Sequence, residues 1–256
     1  MPLLSPYTYD RTGALLRSRY NWIGLLRAWR IVTNPIEFYA GLLRHRAPPT
    51  LSVRTPIGTI ALALRNFESL KTLFGIFCRE DYATPAAPPF FFLDIGANIG
   101  FAAAYFLSRN RANRACCYEP DETNLDWLKR NLATFGDRAT IVNEAVATAS
   151  GETVLYRAET GKHSALHPNE LAKIPQKIVS TGFGEVLARS TAGALPTVVK
   201  LDVEGSEEEL VGSVRFENYP HVARLLCEST VCSRLVSRPH RRLLRNGYIE
   251  DLSFRS

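Results

Sequence analysis

The sequence has no C-x-x-C or H-x-x-H pair, no long apolar run and few lysines, and each shortage removes a class of protein. Its five cysteines, odd in number and without paired spacing, argue against a zinc site and against a secreted disulfide scaffold, so a reducing cytoplasm is the expected home. The first residues lack a charged segment followed by an apolar stretch, and no signal peptide is expected. Arg17, Arg19, Arg27 and Arg30 interrupt the most apolar early stretch, so nothing there has the roughly 18 apolar residues of a membrane span. Apolar content itself is not short. With 46% hydrophobic and 22% charged residues over 256 positions, the chain builds an ample core without metal or disulfide staples.

Lysine scarcity makes arginine dominant, with 25 Arg against 6 Lys in a chain of net charge +6. The planar guanidinium fork suits phosphates and carboxylates, so the excess leans towards anionic partners. It gathers at the ends: residues 1–50 carry seven Arg against Asp10 and Glu37, and residues 215–256 carry eight Arg against four acids. Such ends suit a membrane surface, a nucleic acid or another anionic partner, or are solvated helix faces.

Residues 13–30 space Leu15, Leu16, Tyr20, Trp22, Ile23, Leu26 and Trp29 as an amphipathic basic helix, which lies on anionic lipid or a partner, or packs on the main domain. A second helix starts after Pro35 and ends before Pro48 and Pro49. From Leu51 the alternation around Pro56-Ile57-Gly58 predicts a hairpin, followed by a helix capped by Asn66. The division expected is a basic helical extension over 1–50, a hairpin and helix over 51–83, and a main domain over 84–256.

In that main domain, apolar strands alternate with amphipathic helices, which predicts a doubly wound, mostly parallel α/β sheet. The strands expected are FFFLDI, ACCYEP, TIVNEAVA, GETVLYRAE, LPTVVKLDVEG and VARLLCEST, with a helix from Asp121 to Gly136. Residues 159–177 read as a polar loop, and HRRLLRNGYIEDLSF as a helix, a Gly247 cap and a last strand.

The chemistry-bearing stretch is Asp94-Ile95-Gly96-Ala97-Asn98-Ile99-Gly100, where a buried strand turns through glycines into a helix. Gly96 and Gly100 let backbone approach a ligand that the helix start faces with free N–H groups. Asn98 stands where a dinucleotide fingerprint has its middle glycine, so a pyrophosphate loses its close approach. Glu119, 19 residues after Gly100, is spaced to accept the hydroxyls of a ribose. Glu144 is positioned for an adenine amino group, and together they describe a site for an adenosine without phosphates.

Lys200, Asp202 and Glu204 alternate at the carboxyl end of another strand, where open α/β sheets bind ligands. Asp202 is the first candidate for a base or acceptor-positioning group, with Glu204 beside it. Ser206 and Glu209 have capping-box spacing that competes for this stretch. His163 and His167 in the polar loop are further base candidates, as is Glu228 at a strand end. No metal is expected, since no H-x-x-H or C-x-x-C cluster supports a zinc site, although Asp202 with Glu204 could hold one Mg²⁺ weakly.

In order and spacing, DIGANIG, YEP, NLDWLKRNLATFG, EAVATASGE and VVKLDVEGSEEELV resemble the FkbM-type S-adenosylmethionine-dependent methyltransferases. The resemblance covers roughly residues 50–250, and K-x-D-x-E-G-x-E is its most specific part. It implies a Rossmann-like sheet of seven strands with one antiparallel, S-adenosylmethionine as cofactor, and O-methylation of a hydroxyl on a small molecule or glycan sugar. It also implies that Asp94, Gly96 and Asn98 surround the methionine end, Glu119 the ribose and Glu144 the adenine. The readings held against it are a nicotinamide oxidoreductase, an RNA methyltransferase, for which Tyr20, Trp22 and Trp29 among arginines speak, and a non-catalytic binding module.

Overall fold

The computed structural model describes residues 19–158, 164–168, 172–190 and 195–254, and the chain divides into two compact units, Met1–Ala83 and Thr84–Ser256. In the first unit, helices α1 (Arg19–Ile31) and α2 (Pro35–Leu43) precede a hairpin of β1 (Thr50–Thr55) and β2 (Gly58–Ala63), then α3 (Phe67–Leu73), which runs on as a π-helical turn, Phe74–Arg79. Asn34 caps α2 by accepting from the Glu37 amide, and Pro35 occupies the first turn, where a missing N–H costs nothing. Asn66 caps α3 in a reciprocal box with Ser69. Val32, Phe38, Leu51, Val53, Leu62, Leu70 and Phe74 are buried together as the unit's core.

The second unit is built on strands β3 (Phe91–Ile95), β4 (Arg114–Tyr118), β5 (Ala139–Val142), β9 (Thr197–Leu201), β10 (Val222–Cys227), β11 (His240–Arg245) and β12 (Ile249–Phe254), in the spatial order β11-β12-β10-β9-β3-β4-β5. Neighbours from β5 through β10 are parallel, and β12 alone runs against both its neighbours. This is the doubly wound, mostly parallel sheet of seven strands with one antiparallel that was expected. β9 is buried at every position, as a central strand covered on both faces must be. Helices α4 (Phe101–Leu107), α5 (Glu122–Leu132), α6 (Phe183–Arg189), α7 (Glu207–Gly212) and α8 (Cys232–Leu235) connect or flank the strands. In α5, Leu125, Leu128 and Leu132 face inward while Asp126, Lys129 and Arg130 face water. Strand order reverses between β3 and β9, so the chain leaves both carboxyl ends in opposite directions and opens a crevice there.

Four expectations change. TIVNEAVA is not one strand: β5 ends at Val142, and β6 (Ala145–Ala147) joins β7 (Gly151–Ala158) and β8 (Ala172–Gly182) in a separate three-stranded sheet. The polar loop is shorter than 159–177, because β8 already starts at Ala172 and pairs with β7 through Pro175. Proline is tolerated there since only β7 adjoins that part of the strand; β6 pairs further on, from Ser180 to Gly182. HRRLLR is strand β11, turned into β12 through Asn246 and Gly247, both at positive φ, instead of a helix. Finally, α6 had no counterpart in the sequence reading.

Much of the arginine near the end of the chain is consumed inside this sheet. Asp251 on β12 accepts a two-pronged bond from Arg224 at 2.7 Å and another from Arg245 at 2.7 Å. Arg242 bonds the buried Glu250 at 2.6 Å, and Arg238 donates to the carbonyls of Tyr219, Pro220 and Val222 while lying over the Phe254 ring. Burial would raise the Asp251 carboxyl, but the two guanidinium groups outweigh it and hold it below the usual range. A lowered pKa stabilises the fold above the unfolded value and withdraws that contribution as pH falls through the folded one. Asp251→Asn should therefore cost about 3 to 5 kcal/mol in urea unfolding near neutral pH, because it strands a buried guanidinium, and the cost should shrink in acid.

Candidate active site

The crevice at the carboxyl ends of β3, β4 and β9 is a cleft open to solvent, with about 600 Å³ of empty space when that open solvent is counted. Its floor is backbone. The amides of Gly96 and Ala97 donate to the Tyr118 carbonyl at 3.1 and 3.0 Å, and the Asp202 amide donates to the Ile95 carbonyl at 3.2 Å. These bonds lock the turn after β3 between the two neighbouring strands. At Gly96, with φ of 78°, a Cβ would lie 1.9 Å from the Asp202 carbonyl oxygen, so the two strand ends meet only because there is no side chain.

Beneath the floor sits the Lys200 side chain, only 3% exposed as a residue. Its ammonium lies 3.1 Å from Asp94 Oδ1 and 3.4 Å from Asp202 Oδ2, and donates to the Gly96 carbonyl at 2.9 Å. Burial alone would lower its pKa; Asp94, Asp202 and Glu228 outweigh that and keep it raised, so the group stays charged. Asp94 and Lys200 stand opposite each other in the β3–β9 register, which brings them together.

Glu119, just past β4, is buried and forms the next wall. Its Oε2 accepts from the Asn98 amide at 2.7 Å, and its Oε1 accepts from the Asp121 amide at 3.0 Å and from Asn124 Nδ2 at 3.2 Å. Desolvation nevertheless dominates these bonds and pushes the carboxyl up to about 7. Glu144 lies between β5 and β6 and accepts from the Thr181 hydroxyl. Ala145, Val146, Leu155 and Tyr118 give that end of the cleft an apolar lining. Segment 164–168, off the β7–β8 ribbon, completes the wall: Ala165 exchanges two backbone bonds with Tyr156, Ser164 donates to Asp121, and His167 meets Glu209 at 3.2 Å.

Six of the site residues expected from sequence line this one cleft: Gly96, Asn98, Glu119, Glu144, Asp202 and Glu204. Asp94 does not reach the lining and acts from below through Lys200. Gly100 is also outside it; a Cβ there would meet Leu128 Cδ1 at 2.7 Å, so its role is close packing of α4 on α5. His163 lies outside the described residues, and His167 is exposed, pairs with Glu209 and is not among the residues that line the cleft. The Ser206–Glu209 capping box does not form. Glu207 instead accepts from the Val203 amide at 2.7 Å and the Gly205 amide at 2.9 Å, holding the turn that presents Asp202 and Glu204. Sequence reading missed Ser164, Ala165 and Leu166, whose only signal was their place in a polar loop.

The cleft wall carries four carboxylates, Glu119, Glu144, Asp202 and Glu204, and among the described residues no Lys or Arg lines it. No group of three or more metal-ligating side chains occurs among the described residues.

No family model and no curated protein matches the chain. Among solved structures it is similar to a methyltransferase from Geobacter sulfurreducens, at 11% identity over 65% of this chain and 71% of that one, with a TM-score of 0.39. It is also similar to a precorrin-6y C5,15-methyltransferase from Geobacter metallireducens, at 11% identity over 66% and 82% of the two chains, TM-score 0.38. A third is the C-terminal domain of precorrin-6Y C5,15-methyltransferase from Rhodobacter capsulatus, at 13% identity over 67% and 81%, TM-score 0.34. The second unit is a doubly wound, mostly parallel sheet, with its order reversal at β3 and β9 and its single reversed strand next to the edge.

Since neither backbone at the Gly96–Asp202 contact can move without breaking its strand-end bonds, Gly96→Ala should lower unfolding free energy by about 3 kcal/mol or more, measured by urea denaturation. A variant as stable as the parent would show that the floor is not locked as described.

Proposed function

We propose that the chain is an S-adenosylmethionine-dependent methyltransferase of FkbM type that methylates a hydroxyl on a small molecule or glycan sugar. The observation that carries the reading is the charge of the cleft: four wall carboxylates with no Lys or Arg among the described lining residues. A pyrophosphate would meet these carboxylates with no Lys or Arg among the described lining residues to offset them, which disfavours a nicotinamide dinucleotide. A nucleoside without phosphates and with a cationic tail is what such a wall attracts. The available groups fit that cofactor part by part. Glu119 offers carboxylate oxygens to a ribose diol, Glu144 an acceptor to an adenine amino group, and Tyr118, Val146 and Leu155 apolar surface to the ring. Gly96 and Asn98 border the space left for the methionine end, with Asp94 below it.

The bound cofactor would supply an electrophilic methyl group on a positively charged sulfur. The chain's own work is to bury that charge among carboxylates, exclude phosphates and receive the acceptor's proton. An aliphatic hydroxyl is too weak an acid to ionise alone near neutral pH, so a base at the transfer point is worth roughly 10² to 10⁴ in rate. Asp202 is assigned that proton at its carboxylate, with Lys200 fixing its position from below and Glu204 beside it on the acceptor side. The same acidic wall favours neutral or cationic acceptors over RNA.

Two outcomes test this. Ribose hydroxyls donating to Glu119 favour its ionised form, whereas the free site holds that carboxyl near pH 7, so cofactor binding releases a proton in acid. Affinity for S-adenosylhomocysteine, by titration calorimetry, should rise about tenfold from about pH 6 to about pH 8 and flatten in Glu119→Gln. A pH-independent affinity in the parent, or NADH binding in its place, defeats the cofactor assignment. The second outcome concerns turnover, followed as labelled methyl transfer into a nuclease-treated cell extract. Asp202→Asn should lower it at least about 100-fold while the affinity for S-adenosylhomocysteine, uncharged at sulfur, changes far less. Retained turnover in Asp202→Asn with collapse in His163→Ala would move the base to the loop histidine.

A further inference from the structure

The first unit carries an apolar surface that its own core does not use. Helix α1 buries Asn21, Gly24 and Ala28 along one stripe. On the opposite side Trp22, Ile23, Leu26 and Trp29 are exposed, at 46% to 75% of their surface. Helix α2 continues the patch, because Ile36 and Leu43, exposed at 73% and 72%, lie seven residues apart on one face. Tyr39 stands between them on that face, and its ring stacks on Trp29 at 6.1 Å while its hydroxyl donates to the Leu25 carbonyl. The two helices therefore present one continuous surface of tryptophan, tyrosine and aliphatic side chains. Protein surfaces rarely expose so many large apolar groups side by side unless the patch binds something.

Charge decides between partners. Arg30, Arg44 and Arg46 are exposed around this surface, and Glu37 is the one exposed acid on the two helices. Two other arginines are committed elsewhere: Arg27 pairs with Glu80, and Arg54 donates to the carbonyls of Arg30 and Val32. A tryptophan-rich apolar face rimmed by arginine complements a layer that is apolar inside and negative at its surface. A second copy of the same face would bring like charges together around the contact. None of the described helices is long and apolar enough to cross a membrane, so the surface can lie on a bilayer but not span it.

We propose that the outward face of α1 and α2 docks on an anionic lipid bilayer, with Trp22, Leu26, Trp29, Ile36 and Leu43 entering the interfacial layer and Arg30, Arg44 and Arg46 meeting the headgroups. Leu26 is the deepest anchor and the two indoles sit at headgroup level, with the helices parallel to the surface.

Co-sedimentation with phosphatidylcholine vesicles containing about 30% phosphatidylglycerol, against pure phosphatidylcholine, tests this. The full chain should pellet with the anionic vesicles and shift its tryptophan emission to the blue, and raising NaCl from about 0.1 to about 0.5 M should release much of it. Leu26→Glu/Trp29→Glu should bind at least about tenfold more weakly. Arg30→Gln/Arg44→Gln/Arg46→Gln, altering exposed side chains only, should lose the preference for anionic vesicles, and it keeps the test intact if the first variant unfolds. Full chain left in the supernatant, or unchanged binding in both variants, overturns the proposal. So does a dimer in sedimentation velocity that Leu26→Glu/Trp29→Glu dissociates while the parent ignores vesicles, which would make a second copy the occupant.

Discussion

The buried ammonium of Lys200 is the constraint on which the site depends. It stands where β3 and β9 meet, bonded to the Gly96 carbonyl and flanked by Asp94 and Asp202, so one charge ties the strand, the turn after it and the neighbouring strand end. Taking Lys200 and Asp94 out of water is costly, and the arrangement holds because they lie 3.1 Å apart, with the partly exposed Asp202 close by. Its reward is positional. The turn at Gly96 cannot drift from β9, and Asp202 cannot turn away from the crevice without leaving Lys200.

From that anchor the chemistry of the cleft follows by subtraction. The lysine's charge is spent below the floor, so the wall above remains acidic and one of its carboxylates, Glu119, is buried enough to be half neutral near pH 7. Three N–H donors still point at Glu119, which keeps its oxygens aimed into the cleft whichever protonation state it holds. Glu207 does similar work for the opposite rim by accepting two amides of the turn that carries Asp202 and Glu204. Carboxylates thus act in two ways here, some facing the cleft and some clamping backbone, and Glu119 does both.

Arginine divides along the same line between structure and surface. Near the end of the chain, Arg224, Arg242 and Arg245 are paired with acids of β12, and Arg238 with carbonyls, so these arginines are tied to the fold. In the first unit, Arg30, Arg44 and Arg46 remain at the surface beside exposed tryptophans. Two basic ends that look alike in composition therefore do different things.

The sequence by itself determined the class of sheet and the main site positions, because both are written in local pattern. Continuous apolar runs mark strands covered on both faces, and a glycine turn followed by an acid about 19 residues on marks a strand end, so the sequence pattern already groups Gly96, Asn98, Glu119, Asp202 and Glu204, which line one cleft. What it left unread were matters of partnership. HRRLLR has the spacing of either a helix or a strand, and only pairing with β12 makes it an edge strand, although the Asn246-Gly247 turn was a usable sign. TIVNEAVA breaks in two because Asn143 bonds back to the carbonyls of Glu119 and Pro120, a contact between residues more than twenty apart. The contacts of Asp94 with the Lys200 ammonium and of Glu207 with the turn amides are likewise made only in the fold. Spacing fixes which residues reach a strand end; which of them meets the ligand and which holds the backbone depends on burial and on partners distant in sequence, and those exist only once the chain has folded.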